Sequence, residues 1–180
     1  ATVILNLSAS DEVVGKADYR RALVTGQSAR LVCGYVYADT GEGESTTDLV
    51  FSGHNLIAEN GVLLAERRFA CGLTVSELDV KRLAYERRRM NTFPAADQAV
   101  YPNYFSLDLT TTTLTRRISP TPFVPEDPAG RAQRCDEILK IAALGLKQRL
   151  EHTGAQTAVV GLSGGLDSTL AVLITGIAMG

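Results

Sequence analysis

The chain has 180 residues with 18 basic and 20 acidic side chains, so its formal net charge at pH 7 is −2. A general nucleic-acid-binding protein needs a clear basic excess, which this composition excludes. Hydrophobic residues make up 45% of the sequence, yet no apolar run approaches the ~18 residues of a membrane-spanning helix. We therefore expect a folded protein without nucleic-acid or membrane contacts. Cys33, Cys71 and Cys135 are scattered without ligand-like spacing, which favours the reducing cytoplasm and excludes a disulfide framework.

The first half of the chain alternates apolar runs with polar turns, which predicts a layered α/β core. Five runs are predicted to form strands: 2–7 (as a buried strand), 31–37, 49–58, 62–69 and 73–78. Helical spacing predicts two helices, over residues 17–30 and 80–90. Glu59-Asn60-Gly61 separates two of the strands, and Asn-Gly between apolar runs is a strong signal for a hairpin turn.

The second half of the chain begins with a change in composition. Residues 91–128 hold all six prolines and the threonine tract 110–113, which predicts an interdomain linker. A helix over 129–152 follows, then a strand over 157–162, a glycine-rich connection and a helix from residue 169. A strand, a glycine loop and a helix in succession indicate the start of a nucleotide-binding domain. We therefore predict one domain in residues 1–90, a linker in 91–128 and a second domain starting at 129.

Both ends of the sequence lie inside predicted core elements. Residue 1 is Ala, a strand is predicted from residue 2, and residues 171–179 still follow an apolar helical pattern where the sequence stops. We therefore expect the chain to be an internal fragment of a longer protein.

The glycine-rich connection carries the strongest chemical signal, and it reads Gly161-Leu162-Ser163-Gly164-Gly165-Leu166-Asp167-Ser168. Adjacent glycines allow a positive φ, so several backbone N–H groups can converge on one concavity. The helix that follows directs its free N–H groups and the positive end of its dipole to the same place. Together with the two serine hydroxyls, they predict a site for an anion the size of pyrophosphate. The loop lacks the lysine of a Walker A motif. The alternative is a tight turn in which Asp167 or Ser168 only caps the helix.

Two parts of the sequence resemble one known family. The pattern SGGxDS after a predicted strand resembles the pyrophosphate loop of the ATP-pyrophosphatase superfamily, which includes NAD, GMP, argininosuccinate and asparagine synthetases. The upstream half is similar to the second half of the nitrilase-type glutaminase that is fused to glutamine-dependent NAD synthetases. The segments that carry this second resemblance are residues 6–10, 15–16, 19–21, 28–30, 35–38, 41–49, 59–61 and 123–125. The two motifs occur in the order of the family, and the resemblance covers essentially the whole chain.

The resemblance implies a fold in three parts. The first is the C-terminal half of a nitrilase-like α-β-β-α sandwich, and the second is the linker. The third is the start of a Rossmann-like parallel α/β domain of the adenine nucleotide alpha hydrolase type.

The resemblance also implies an ATP-dependent amide ligase. The glutaminase would release ammonia from glutamine and pass it through a tunnel. The synthetase would adenylate the nicotinate carboxylate of deamido-NAD with MgATP, and ammonia would then displace AMP. The implied partners are these small molecules, with ATP and Mg²⁺ as substrate, no prosthetic group, a cytoplasmic location and a homo-oligomeric parent enzyme.

Site residues follow from the resemblance position by position. The ATP-binding residues are Gly161, Leu162, Ser163, Gly164, Gly165, Leu166, Asp167 and Ser168, and Asp167 either helps to hold Mg²⁺ or caps the helix. Ser10 and Lys16 match the glutamine-binding positions, against the alternatives of a turn serine and a solvated lysine. The resemblance implies that the Glu–Lys–Cys set of the glutaminase lies before residue 1, so we expect no catalytic residue in this chain. Cys33 is interpreted as a buried small hydrophobe rather than a nucleophile.

Other interpretations remain open at this point. The chain is alternatively a fragment of a stand-alone nitrilase-type amidase, or of another glutamine-using ATP-pyrophosphatase synthetase. Residues 41–45 line the glutamine pocket or the tunnel mouth, or else form an ordinary surface loop. The four arginine clusters, which begin at Arg20, Arg67, Arg87 and Arg116, are interpreted as exposed ion-pairing groups because acidic residues lie near several of them. The two histidines lie too far apart in sequence to favour a metal site.

Overall fold

The computed structural model describes residues 1–45, 48–92, 102–106 and 112–180. The chain divides into two units, Ala1–Arg116 and Arg117–Gly180. This division falls inside the predicted linker 91–128, much of which lies outside the described residues, so the three-part domain assignment stays a prediction.

The first unit has a mixed α/β fold around one sheet. Its elements are β1 (Val3–Ser8), α1 (Lys16–Leu31), β2 (Gly34–Asp39), β3 (Asn55–Glu59), β4 (Val62–Arg67) and α2 (Val80–Arg89). The sheet order is β1-β2-β3-β4, in which β1 pairs parallel with β2 and the other neighbours are antiparallel. Parallel strands need a crossover connection, and α1 supplies it. This order leaves β1 at the edge of the sheet among the described strands.

Helix α1 packs on the sheet through one face. Its buried residues follow a spacing of three or four: Ala17, Arg20, Val24 and Ser28. Val24 meets Tyr37 of β2 and Leu56 of β3 in the hydrophobic core. Because Arg20 lies on the same face one turn from Val24, its side chain is buried rather than exposed to solvent.

The predicted hairpin is confirmed. Strands β3 and β4 pair antiparallel, and Asn60 and Gly61 join them with φ of 46° and 87°. Asn and Gly are the residues that adopt this left-handed conformation at low cost, so the local sequence determines the turn.

The second unit contains two helices among its described residues, α3 (Pro128–Thr153) and α4 (Leu166–Met179). Asp127 caps α3 by accepting a hydrogen bond from the Gly130 N–H at 2.6 Å, and Pro128 occupies the first turn. Gly154 ends the helix with a φ of 70°. Helix α4 begins three residues before the predicted residue 169, directly after Gly165. No helix of the described residues is long and apolar enough to cross a membrane.

Several strand predictions were wrong. Residues 73–78 and 157–162 form no strand, because a strand requires a backbone partner and no described residue pairs with either segment. Val159 is accordingly 98% exposed. Strand β1 does form, but the expected burial is wrong for one face of it, since Leu5 and Leu7 at alternate positions are 74% and 87% exposed. Strands β2 and β3 start later than predicted.

Candidate functional site

The glycine loop of the second unit presents unbonded amides to solvent. Gly164 has a φ of 85°, and Gly165 is the N-cap of α4 in an extended conformation. Within the described part of the chain, the N–H groups of Leu166, Asp167 and Ser168 donate to no acceptor. The loop is exposed from Gly161 to Asp167. These are the geometric requirements of an anion site at a helix N-terminus.

Side-chain hydroxyl groups form hydrogen bonds within the loop. Ser168 Oγ donates to the Gly165 carbonyl at 3.0 Å and lies 3.2 Å from Ser163 Oγ. Thr169 Oγ1 donates to the same carbonyl at 3.0 Å. Neither Asp167 nor Ser168 is the N-cap, since Gly165 fills that position without a side-chain capping bond. The simple capping alternative is therefore not realised, and the Asp167 carboxylate lies in the exposed first turn.

In the first unit, Ser10 and Lys16 bracket the loop that joins β1 to α1. The Ser10 N–H donates to Asp39 Oδ1 at 2.8 Å. Lys16 Nζ lies 2.6 Å from the Asp11 carboxylate and donates to the Asp11 carbonyl at 2.7 Å. The hydrogen bond and charge of Lys16 lower the pKa of Asp11. Lys16 therefore stands in a partly exposed ion pair, and a ligand carboxylate there competes with Asp11 for the ammonium.

Arg20 is the residue that holds this loop in place, and sequence analysis missed it. Only 3% of its surface is exposed, whereas the sequence interpretation placed it among exposed ion-pairing arginines. Its guanidinium donates to the Ser10 carbonyl at 2.9 Å and to the Asp11 carbonyl at 2.7 Å. The available signal was its helical spacing from Ala17 and Val24, which assigns Arg20 to the buried face of α1.

Glu12 anchors Arg20 in turn. Its carboxylate accepts from Arg20 Nη1 at 2.6 Å, from Arg68 Nη2 at 2.8 Å and from the Ser52 hydroxyl. Burial raises the pKa of Glu12, but the bonds from Ser52, Arg20 and Arg68 outweigh it and lower the pKa to about 2. The carboxylate is thus ionised and fully engaged at neutral pH, which fixes the loop to α1 and to the segment before β3.

Because the pKa of Glu12 is lower in the folded protein than in the unfolded chain, the ionised carboxylate stabilises the fold in a pH-dependent way. An unfolded glutamate titrates near pH 4.3, so the contribution of Glu12 is present above that pH and is lost as the pH falls toward 2. The difference between the unfolded and folded pKa of Glu12 corresponds to about 3 kcal/mol in the free energy of unfolding. We expect Glu12→Gln to lower the free energy of unfolding at pH 7 and to flatten its decline between pH 5 and 3. Urea unfolding measures both effects, with exposed Glu137→Gln as control. Equal declines in the wild type and Glu12→Gln contradict the assignment.

A cavity of about 540 Å³ lies between the end of β2, the segment before β3 and the segment after β4. Asp39, which holds Ser10, lines it together with Gly41, Glu42 and Glu44 of the acidic loop. Residues 46–47 lie outside the described residues. The acidic loop therefore lines the same cavity as Asp39, the residue that accepts the hydrogen bond from the Ser10 N–H.

The remaining candidate reactive groups are the cysteines and the side chains that could bind a metal. Cys33 is fully buried, and burial raises the pKa of its thiol, as expected for a packed hydrophobe. Cys71 and Cys135 are exposed and free. Among the described residues, no group of three His, Cys, Asp or Glu side chains could hold a metal ion. Asp167 would supply one carboxylate to a cation.

Comparison with known proteins gives one consistent result. The NAD synthase family model matches residues 138–180. Glutamine-dependent NAD(+) synthetases from Mycobacterium bovis and Mycobacterium tuberculosis are each 42% identical over 99% of this chain, and the one from Mycobacterium leprae is 41% identical. The chain spans 28% of the length of these relatives. The predicted resemblance to glutamine-dependent NAD(+) synthetases is thereby confirmed.

Two solved structures are also similar to this chain. A glutamine-dependent NAD(+) synthetase from Cytophaga hutchinsonii is 37% identical, with a TM-score of 0.38 over 42% of this chain and 13% of that chain. One from Acinetobacter baumannii, in complex with adenosine diphosphate, is 20% identical, with a TM-score of 0.41 over 99% of this chain and 27% of that one.

Proposed function

We propose that this chain is an internal segment of a glutamine-dependent NAD(+) synthetase, in which residues 1–90 belong to the glutaminase and residues 129–180 begin the synthetase. The observation that carries the proposal is the exposed glycine loop with unbonded amides, which lies inside the region matched by the NAD synthase family. The 42% identity over 99% of the chain supports the same assignment for the upstream half.

The finer fold belongs to this proposal. The sheet β1–β4 with α1 would be the C-terminal half of a nitrilase-like α-β-β-α sandwich. The glycine loop and α4 would open a Rossmann-like parallel domain. In that domain, residues 157–162 would find the strand partners that the described residues lack.

At the glycine loop, the proposed ligand is the phosphate chain of ATP. The free N–H groups of Leu166, Asp167 and Ser168 would stabilise the charge that gathers on pyrophosphate as it leaves. The substrate carboxylate displaces pyrophosphate from the α-phosphorus, and ammonia then displaces AMP from the acyl adenylate, giving the amide. Asp167 would supply one carboxylate ligand to the Mg²⁺ that accompanies ATP, because Mg²⁺ in such sites is bound by few carboxylates together with substrate phosphates.

At the Ser10–Lys16 loop, the proposed ligand is glutamine. Lys16 would exchange its bond to Asp11 for the α-carboxylate of the amino acid, and Ser10 would hydrogen-bond the same molecule. The glutaminase Glu–Lys–Cys set is expected outside this segment. The parent enzyme is proposed to be a cytoplasmic homo-oligomer without a prosthetic group, and the free cysteines support the reducing location.

Product analysis of the complete protein tests this function. With MgATP, deamido-NAD and glutamine, we expect NAD, AMP and pyrophosphate in equal amounts, and ammonium should replace glutamine. Formation of ADP and phosphate contradicts the pyrophosphatase chemistry. Glutamine hydrolysis without any ATP-dependent product favours the stand-alone amidase. Activity on another carboxylate only, with pyrophosphate release, favours a different synthetase.

The isolated 180-residue chain is expected to have neither activity, because the glutaminase set and most contacts to adenine and deamido-NAD are expected outside it. Assays for glutamate release and for NAD formation check this, with the complete protein as control. Turnover by the purified chain overturns the expectation.

A further inference from the structure

Arg20 contacts the side chain of Ser10 as well as the backbone of the loop. Its Nε and Nη2 atoms lie 3.4 Å and 3.2 Å from Ser10 Oγ, and Nη2 also donates to the Ser10 carbonyl. The Ser10 N–H donates to Asp39. One buried guanidinium and one buried carboxylate thus fix the backbone and the side chain of the same half-buried serine.

Groups on three other segments fix the guanidinium itself. Glu12 accepts from Nη1 at 2.6 Å, His54 Nδ1 lies 3.5 Å from the same atom, and Asp39 Oδ2 lies 3.7 Å from Nε. His54 in turn contacts Glu66 Oε1 through Nε2 at 2.8 Å. Because these partners surround the guanidinium plane, Arg20 cannot rotate away from Ser10 without breaking buried ion pairs.

The chemistry of arginine restricts the serine hydroxyl. A guanidinium has five donors and no acceptor, and a serine oxygen has two lone pairs. Because both Nε and Nη2 of Arg20 face Ser10 Oγ, both lone pairs are directed at Arg20. The single hydroxyl proton must therefore point elsewhere. Within the described ranges, Ser10 Oγ donates to no acceptor, and the residue is half-buried rather than enclosed. The proton is left for a ligand.

We propose that Arg20 is a positioning residue that makes Ser10 an obligatory donor, so that Ser10 recognises an acceptor oxygen of the bound amino acid and not its ammonium group. The oxygen is that of the α-carboxylate or of the side-chain amide. This proposal rests on the proposed glutamine site, and it adds that Ser10 is the hydrogen-bond donor and the ligand oxygen is the acceptor.

Variants of the complete enzyme test the role of Arg20. Gln at position 20 carries an acceptor that can capture the Ser10 proton, whereas Lys remains a donor only. We expect Arg20→Gln to raise the KM for glutamine by about tenfold or more, with Arg20→Lys closer to the wild type. Synthesis from ammonium should stay unchanged in both variants. Arg30→Gln, which changes an exposed arginine of the same helix, is the matched control. Equal KM values for wild type and Arg20→Gln overturn the proposal.

An inhibitor comparison tests the donor assignment without touching Arg20. Glutaramate keeps the carboxylate and amide of glutamine but lacks the ammonium. We expect Ser10→Ala to weaken competitive inhibition by glutaramate by the same factor as glutamine binding. If Ser10→Ala weakens glutamine binding and leaves glutaramate unaffected, Ser10 binds the ammonium and the proposal is wrong. If Ser10→Ala changes neither, the glutamine site itself is wrongly assigned.

The double variant with Arg20→Gln and Ser10→Ala tests whether Arg20 acts through Ser10 or only by stabilising the loop. If Arg20 acts through Ser10, most of the loss caused by Arg20→Gln should disappear when Ser10 is already alanine. Losses that multiply in the double variant show that Arg20 acts independently of Ser10 and overturn the proposal.

Discussion

Replacing Gly164 with valine in the complete enzyme should lower ATP-dependent synthesis from ammonium by at least about a hundredfold, the size of losing one preorganised donor to a developing anion. Gly164 has a φ of 85°, a conformation that a β-branched residue adopts only with strain. A Cβ at this position meets no atom within 4 Å, so the cost lies in the backbone and not in a clash. The loop is expected to relax and carry the amides after Gly165 away from a common point.

The matched control for this prediction is Gly176→Val in α4. A Cβ at Gly176 also meets no atom within 4 Å, but its φ is not positive. This variant should keep the ammonium-dependent rate, and steady-state assays with saturating ammonium compare the two. An unchanged rate in Gly164→Val removes the basis for the phosphate cradle.

Replacing Lys16 with alanine should raise the KM for glutamine by about tenfold to a hundredfold, because a charge-assisted bond to the α-carboxylate is lost. Synthesis from ammonium should be unaffected, since that reaction bypasses the glutamine site. Lys140→Ala is the matched control, because Lys140 also lies 2.6 Å from an aspartate, Asp136, on a surface helix. An equal loss of both activities in Lys16→Ala counts against a glutamine role.

Local signals predicted much of the fold. Helices α1, α2 and α3 agree with their predicted ranges of 17–30, 80–90 and 129–152 within one residue at each end. Asn60-Gly61 determines its hairpin. Each of these features depends on residues within one or two turns of each other, so the sequence contains the information.

Non-local features could not be predicted in the same way. The apolar run 157–162 has strand composition, but a strand exists only when another backbone pairs with it. The apolar side chains of Leu5 and Leu7 likewise indicate burial, but both lie on the same face of β1, which the described residues leave exposed.

The same distinction between local and non-local features explains why only one of the two candidate sites could be predicted in full from the sequence. The glycine loop is one contiguous segment, and its positive φ and free helix N-terminus follow from the order of its residues. The group around Arg20 joins the loop before α1, the end of β2 and the segment before β3. Arg20 and Arg21 are adjacent and identical in sequence, and only packing distinguishes the buried first arginine from the partly exposed second.

A nitrogen-labelling experiment tests the central claim that one protein joins a glutamine site to an ATP-dependent ligase. The complete enzyme is supplied with MgATP, deamido-NAD, glutamine labelled with ¹⁵N in its amide, and unlabelled ammonium. Mass spectrometry then reports the nitrogen in the carboxamide of NAD. We expect ¹⁵N in the product of the wild type, mainly ¹⁴N with Lys16→Ala, and almost no product with Gly164→Val. Equal ¹⁵N incorporation by wild type and Lys16→Ala, or undiminished product with Gly164→Val, contradicts the account.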